Sequence, residues 1–357
     1  MGKIVFGIIG HGWRADFFLR IANELPEMFE VSRMLVRREE TAAELRAKWG
    51  VKTFHDLDSF LEASELAFVV VSVPWDSCPV YIRELAMRNV PVLAETPPAP
   101  DLDGLTQLYE AVGGQAKVQV AEQLLFQPMH AARISLARSG KIGSVSQAQV
   151  SVAHGYHGIS LIRQMLNVRF EEAVISGQRF QSPIVQGPGR NGPPAEEIIK
   201  QSSQDIVTLR FGDKLGVLDF TGDQYFSFIR RERVLVRGER GEISGDEAAW
   251  LDDFRTPVIT KLRRIDNGFD GNLLGFNYSG ILLGSEWLYR NPFVPARFTD
   301  DEIAIATSLA KMGDYVQGGP SFYSLAEASQ DHYLSMLMEK AVVEGTTVTS
   351  EKQVWHS

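Results

Sequence analysis

Cysteine is almost absent: Cys78 is the single one in 357 residues, so neither an intrachain disulfide nor a cysteine-based metal cluster can form. Histidine is scarce as well, seven in all, with no H-E-x-x-H or similar spacing, and no metal site is expected. No apolar run reaches the ~18 residues that mark a membrane-spanning helix. Positive charge is in deficit, 36 Lys and Arg against 45 Asp and Glu for a net −9. That balance argues against a nucleic-acid partner or an anionic membrane surface, whose phosphates it would repel. The short basic pairs Arg37-Arg38, Arg230-Arg231 and Arg263-Arg264 stand beside acids and read mostly as solvated faces. Repeats and low-complexity stretches are missing. Met1-Gly2-Lys3 runs into an apolar strand with no signal-like core, so a cytoplasmic location is expected.

What is present is ordinary in amount, 44% apolar and 23% charged, and long enough for two domains. The most informative stretch is Ile4 to Ala15, IVFGIIGHGWRA. A short apolar strand runs into Gly10 and Gly12, and a helical pattern follows with Phe17, Phe18, Leu19 and Ile21. Glycine at 10 permits a tight turn, glycine at 12 lets backbone approach a pyrophosphate, and Ala15 lets helix pack on strand. The amides and the positive dipole end of that helix would face phosphates. The alternative is a βα turn that is only structural.

Strand-like runs at Ile4–Ile9, Val31–Val36, Phe68–Val73, Val90–Ala94 and Lys117–Ala121 alternate with helical patterns. The latter lie at Thr41–Trp49, Leu57–Ala63, Val80–Arg88 and Leu102–Val112. Such alternation predicts a doubly wound parallel sheet with ligands beyond the carboxyl ends of its strands. Gly10, Arg37, Pro74 and Glu95 follow those ends. A helix over Pro128–Ser139, a strand over Val145–Val152 and a helix over His157–Leu166 come next. Then Ile206–Phe211, Leu215–Thr221, Tyr225–Arg230 and Arg233–Val236 read as strands of an antiparallel meander. Gln186–Pro194, rich in Gly and Pro, reads as a mobile loop, and Leu325–Val343 as a closing helix.

With these pieces in order, the chain resembles the Gfo/Idh/MocA oxidoreductases. The likeness rests on the fingerprint, Val73-Pro74, Glu95-Thr96-Pro97, Phe126-Gln127-Pro128, Gly140-Lys141-Ile142-Gly143-Ser144-Val145, Gly155-Tyr156-His157 and the Glu344-Gly345 ending. It implies an α/β protein in two parts. Residues 1–121 would form a Rossmann domain with a doubly wound parallel sheet. Residues 122–357 would form a substrate and oligomerisation domain with an open, mainly antiparallel sheet, the last helix packing back on the first domain. It also implies NADP or NAD as cofactor, a carbohydrate-like small-molecule substrate, and a homo-oligomer, dimer or tetramer.

The chain departs from that family in one pocket. The family's Glu-Lys-Pro lysine contacts the nicotinamide ribose and substrate hydroxyl, and Thr96 stands in its place. A threonine hydroxyl is a poor acid or base at pH 7. In the register of Asp-x-Gly-x-His-x-x-Asp the chain has Ala153, Gly155, His157 and Ser160, so the histidine survives and both acids do not. The glycine-rich substrate loop before it is missing.

His157 is the leading acid–base candidate, since an ordinary imidazole pKa of about 6.5 suits proton transfer near neutrality. Its plainer reading is packing at a helix start. Tyr156 is the second catalytic candidate, with His154 flanking it. By the resemblance, Glu95 and Thr96 lie near the cofactor, as do Val73 and Pro74. Trp13 and Arg14 open the first helix; Arg14 either meets the pyrophosphate or lies exposed. Val36 stands where NAD-preferring domains place an acid, and Arg37 and Arg38 suit a 2′-phosphate, which favours NADP. The other reading stacks Arg37 on adenine and accepts either cofactor. Trp75 borders the nucleotide or packs in the core, and Trp287, Tyr289 and Phe293 read as sheet or interface packing. Three functions follow: an oxidoreductase acting by hydride transfer, an inactive cofactor-binding regulator or partner subunit, and a glycoside-cleaving enzyme that recycles its nicotinamide.

Overall fold

The computed structural model describes residues 2–62, 65–114, 116–268 and 275–356. Its first part alternates β1 (Ile4–Ile9), α1 (Trp13–Glu24), β2 (Phe29–Leu35), α2 (Glu39–Trp49), β3 (Lys52–Phe54), α3 (Leu57–Leu61), β4 (Phe68–Val71), α4 (Cys78–Met87), β5 (Val92–Ala94), α5 (Leu102–Val112) and β6 (Val118–Val120). The strands pair in parallel in the order β3-β2-β1-β4-β5-β6. This is the doubly wound sheet expected, with one short strand, β3, that the sequence did not signal. Both faces of the sheet are covered, so its strands are continuous apolar runs: all four residues of β4 are buried. Phe6 of β1 stacks on Phe68 of β4 at 5.3 Å. The predicted helix at 57–63 stops at Leu61, and Ala63 lies outside the described residues.

The second part begins with α6 (Pro128–Arg138), β7 (Val145–Ser151) and α7 (Gly155–Leu166), followed by a long hairpin of β8 (Val174–Val185) and β9 (Ile199–Phe211). Next come β10 (Lys214–Thr221), β11 (Arg233–Gly238), β12 (Gly241–Ser244), β13 (Glu247–Leu251), β14 (Pro257–Asn267), β15 (Asn277–Leu283) and β16 (Glu286–Arg290). The chain closes with α8 (Asp300–Val316), α9 (Leu325–Glu344) and β17 (Val348–Thr349). The described strands form one sheet in the order β16-β15-β14-β13-β12-β11-β7-β10-β9-β8-β17. It is antiparallel except where β10 runs parallel to β7.

One predicted strand is corrected. Tyr225–Arg230 is not extended: Gly222–Tyr225 is a single 3-10 turn and the residues to Arg230 are irregular. Local side-chain bonds bend the chain there. Thr221 and Gln224 form a reciprocal capping box, and the Ser227 hydroxyl accepts from the amides of Ile229 and Arg230. The strands after residue 246 carry little apolar alternation to read; β14, for example, buries only Leu262.

α9 belongs to both parts. Its lead-in is bonded to β6, where the Gln119 side-chain oxygen accepts from the amides of Phe322 and Tyr323, both at 2.9 Å. Ser324 and Glu327 then cap the helix reciprocally. Inside it, Asp331 makes a buried ion pair with Arg163 of α7 and receives a hydrogen bond from Tyr323. Thus α7 is clamped to the helix that is itself fastened to the first sheet.

Candidate active site

The carboxyl ends of the parallel strands lie along one edge. At the end of β1, Gly10 has φ +108° and its missing Cβ would sit 1.9 Å from the Ser72 carbonyl oxygen. Only glycine fits there. Gly12 differs: φ is −63°, and nothing lies within 4 Å of where a Cβ would be. It caps α1 without a side-chain partner for the first-turn amides. These residues therefore fit a dinucleotide: a tight turn at Gly10, open space at Gly12 and a bare helix N-terminus.

Trp13 is exposed, whereas Arg14 turns inward. Arg14 Nε donates to Glu95 Oε2 at 3.2 Å, and with the Gln123 amide oriented by its partners, Arg14 Nη2 donates to it at 2.7 Å. Burial pushes the Glu95 carboxyl up, and Arg14 and His157 draw it back. At the end of β2 the Val36 carbonyl faces His55 Nδ1 at 2.8 Å, and His55 Nε2 meets Glu39 at 2.9 Å. Those two contacts raise the His55 pKa. Arg37 and Arg38 are exposed and in no ion pair among the described residues. A cleft of about 370 Å³ at the end of β2 is lined by Leu35, His55, Asp56, Asp76, Tyr81 and Glu84, and by neither arginine. Val73 and Pro74 follow β4, and Cys78 behind them is buried, its thiol pushed up to about 12 by desolvation.

From the other side, α7 presents its N-terminus. Gly155 has φ +42°, and a Cβ on Gly158 would strike Leu218 of β10 at 2.3 Å, so the first turn lies close on the second sheet. His157 Nδ1 is 2.6 Å from Glu122 Oε2, and the other oxygen of Glu122 accepts from the Leu124 amide at 3.2 Å. The Glu122 side chain is only 2% exposed and that of His157 11%. Tyr156 lies 4.4 Å from His157 by ring centroids. Its hydroxyl is pushed above its ordinary range by burial, then by Glu122, while the nearby Thr96 side chain draws it back. His154 Nδ1 meets the Tyr225 hydroxyl at 2.6 Å; burial, then His157, lowers its pKa to about 4. Trp75 and His332 of α9 complete the ring of aromatics at 6.4 and 5.6 Å from Tyr156.

Thus His157, Tyr156, Thr96 and Glu95 converge, with Arg14 beside them. Gly10, Gly12 and Trp13 lie at the first strand end, and Arg37 and Arg38 at the second. The residue that sequence reasoning missed is Glu122. Its signal was positional: it follows β6 as Glu95 follows β5. The acids absent at 153 and 160 are not restored in place. Instead the Ser160 hydroxyl donates to the Tyr323 oxygen at 2.8 Å, Tyr323 donates to Asp331, and Ser160 so joins the buried Asp331–Arg163 network behind the helix. Trp287, Tyr289 and Phe293 lie on or just after β16, where Tyr289 stacks on Tyr278 at 6.4 Å.

Residues 4–122 match the sequence model of the GFO_IDH_MocA oxidoreductase family, NAD-binding Rossmann fold. No curated protein matches the chain. Among solved structures, levoglucosan dehydrogenase in its apo form superposes with a TM-score of 0.72 at 15% identity, over 98% of this chain and 100% of that one. The same enzyme with NADH and L-sorbose gives 0.71 at 15% identity, over 99% and 100%. A myo-inositol dehydrogenase from Corynebacterium glutamicum gives 0.66 at 16% identity, over 98% and 99%. At such identities the likeness is one of fold, and it extends over both sheets. Among the described residues no helix is long and apolar enough to cross a membrane. The family match is thus confined to residues 4–122, the part that holds the parallel sheet and its strand ends.

Proposed function

We propose that this protein transfers hydride between a nicotinamide cofactor and a carbohydrate-like substrate, with His157 as the proton-transfer group in place of the family lysine. The observation that carries this reading is the 2.6 Å contact between His157 Nδ1 and buried Glu122. A carboxylate there takes the Nδ1 proton and leaves Nε2 as the site that accepts a proton from a substrate alcohol or returns it to a carbonyl. Tyr156 and Thr96, which lie near each other, would orient the reacting hydroxyl. The bound cofactor would supply a hydride acceptor or donor at its nicotinamide, and Gly10, Gly12, Glu95 and Thr96 would hold it. Arg37 and Arg38, exposed and without an ion pair among the described residues just past β2, support a preference for NADP. The sugar-like ligands of structural neighbours, L-sorbose and levoglucosan, support the substrate class. A homo-oligomer and a cytoplasmic location fit this reading.

The test combines binding with turnover. His157→Ala should lower kcat by about 10² to 10⁴, the range of one acid–base group, while calorimetric affinity for NADH and NADPH changes less than threefold. Glu122→Gln should fall between His157→Ala and the unaltered protein. Activity untouched by either change refutes the assignment, and tighter NADH than NADPH binding refutes the NADP preference.

A second reading is glycoside cleavage with nicotinamide recycling. It is favoured by two histidines, His154 and His157, whose rings lie 5.2 Å apart with separate partners. Simple dehydrogenation uses one proton acceptor, whereas oxidation followed by elimination moves a second proton. Release of the aglycone from aryl glycosides without accumulation of reduced cofactor would select it. Tight nucleotide binding with no turnover of either kind would select an inactive regulator.

A further inference from the structure

Arg14 is the cation nearest the phosphate-binding turn in sequence, yet its guanidinium is committed inward to Glu95 and Gln123. The turn Gly10-His11-Gly12 and the start of α1 therefore carry amides and a dipole, while Arg14, 5.0 Å from the Trp13 ring, has its donors engaged by Glu95 and Gln123. A different arginine lies there. The tip of the β8–β9 hairpin is a tight turn, with Gly189 and Gly192 exchanging backbone hydrogen bonds of 2.9 and 3.0 Å and Gly192 at φ +100°. It holds Arg190 with its guanidinium 4.4 Å from the ring centroid of Trp13, the first residue of α1. Arg190 is exposed and in no ion pair or hydrogen bond among the described residues. An exposed cation–π contact of this kind is worth only about 0.5–1 kcal/mol, so it places the guanidinium without holding it fast.

We propose that Arg190, carried across from the second sheet, is the clamp on the cofactor's pyrophosphate. It supplies the charge that the turn lacks, and the planar guanidinium matches phosphate oxygens two at a time. Trp13 parks it over the helix N-terminus before the nucleotide arrives. The loop is built for such a clamp. Pro188, Pro193 and Pro194 limit its conformations, and a Cβ on Gly187 would lie 3.5 Å from the backbone of Ser227, two residues beyond Tyr225. Nucleotide binding is thereby linked to the rim of the substrate cleft.

This clamp presupposes that residues 4–15 hold a dinucleotide, and the experiment separates the two. Calorimetry with NADH on the unaltered protein comes first; absence of binding would overturn the cofactor reading and this one with it. Given binding, Arg190→Ala should weaken NADH about tenfold and Arg190→Lys less, with unchanged thermal melting. The loss should shrink in high salt, since two charges are involved. A second measurement needs no variant: trypsin cuts after arginine, so saturating NADH should slow cleavage at Arg190–Asn191. An alanine variant that binds NADH within twofold of the unaltered protein, or cleavage at an equal rate with and without NADH, overturns the proposal.

Discussion

Position 96 is where a single side chain decides most about the chemistry. Its side chain lies near the Tyr156 phenol, and the neighbouring carboxylate of Glu95 is held by Arg14. A lysine introduced there displaces the threonine–tyrosine contact and adds a charge beside Glu95. It does not restore acids at Ala153 or Ser160, and Ser160 is already bonded into the Tyr323–Asp331 network. Thr96→Lys is therefore expected to leave the fold intact and change cofactor affinity by less than about tenfold, ~1.4 kcal/mol. Strong polyol oxidation should not appear. Inositol or glucose oxidation at about 1 s⁻¹, the low end of ordinary enzymes, in steady-state assays of this variant would show that the proton path still runs through position 96.

At the scale of the element, the start of α1 separates two glycines that the sequence presents alike. Gly10 is needed by the fold, with a positive φ and the Ser72 carbonyl where a Cβ would be. Gly12 has an ordinary extended backbone and open space around it, so its requirement comes from whatever approaches the helix. Gly12→Asp should fold, and should melt no lower than the unaltered protein, because aspartate is a good N-cap. It should lose NADH binding by at least a hundredfold, since its carboxylate occupies the amides and repels phosphate. Gly10→Ala should instead lower the melting temperature or fail to fold. Normal affinity in a folded Gly12→Asp protein, by calorimetry, would make the fingerprint purely structural. The 3-10 turn at Gly222–Tyr225 is the contrasting case, an element hidden from the pattern. Tyr225, Phe226, Phe228 and Ile229 have strand-like composition, but Thr221, Gln224 and Ser227 hydrogen-bond their local backbone and bend it first.

For the whole molecule, one source of acid sensitivity is a histidine away from the cleft. His130 on α6 is buried, and desolvation, then Arg133, pushes it down to about 3. Its Nδ1 accepts from Arg133 Nη1 at 3.1 Å, so the folded protein keeps it neutral. The unfolded chain takes up a proton below about 6.5. Stability from this group is therefore complete above that pH and is lost as pH falls toward 3, at up to ~1.4 kcal/mol per pH unit. His130→Asn keeps the acceptor and removes the titration. Its urea midpoint should fall less steeply between pH 6.5 and 4, and an unchanged slope would place the acid limb elsewhere.

The sequence by itself determined the parallel sheet, the strand ends that carry the site, and the candidates His157, Tyr156, Glu95 and Thr96. These are written in local periodicity and in glycine and proline placement, which act over a few residues. Only the tertiary structure decided the partners. Glu122 and His157 stand 35 positions apart, Arg14 and Glu95 81 apart, and Trp13 and Arg190 meet across two sheets. Such pairs have no period to read. They arise because buried charge must find its counterpart wherever packing brings one, and the packing is set by every element at once.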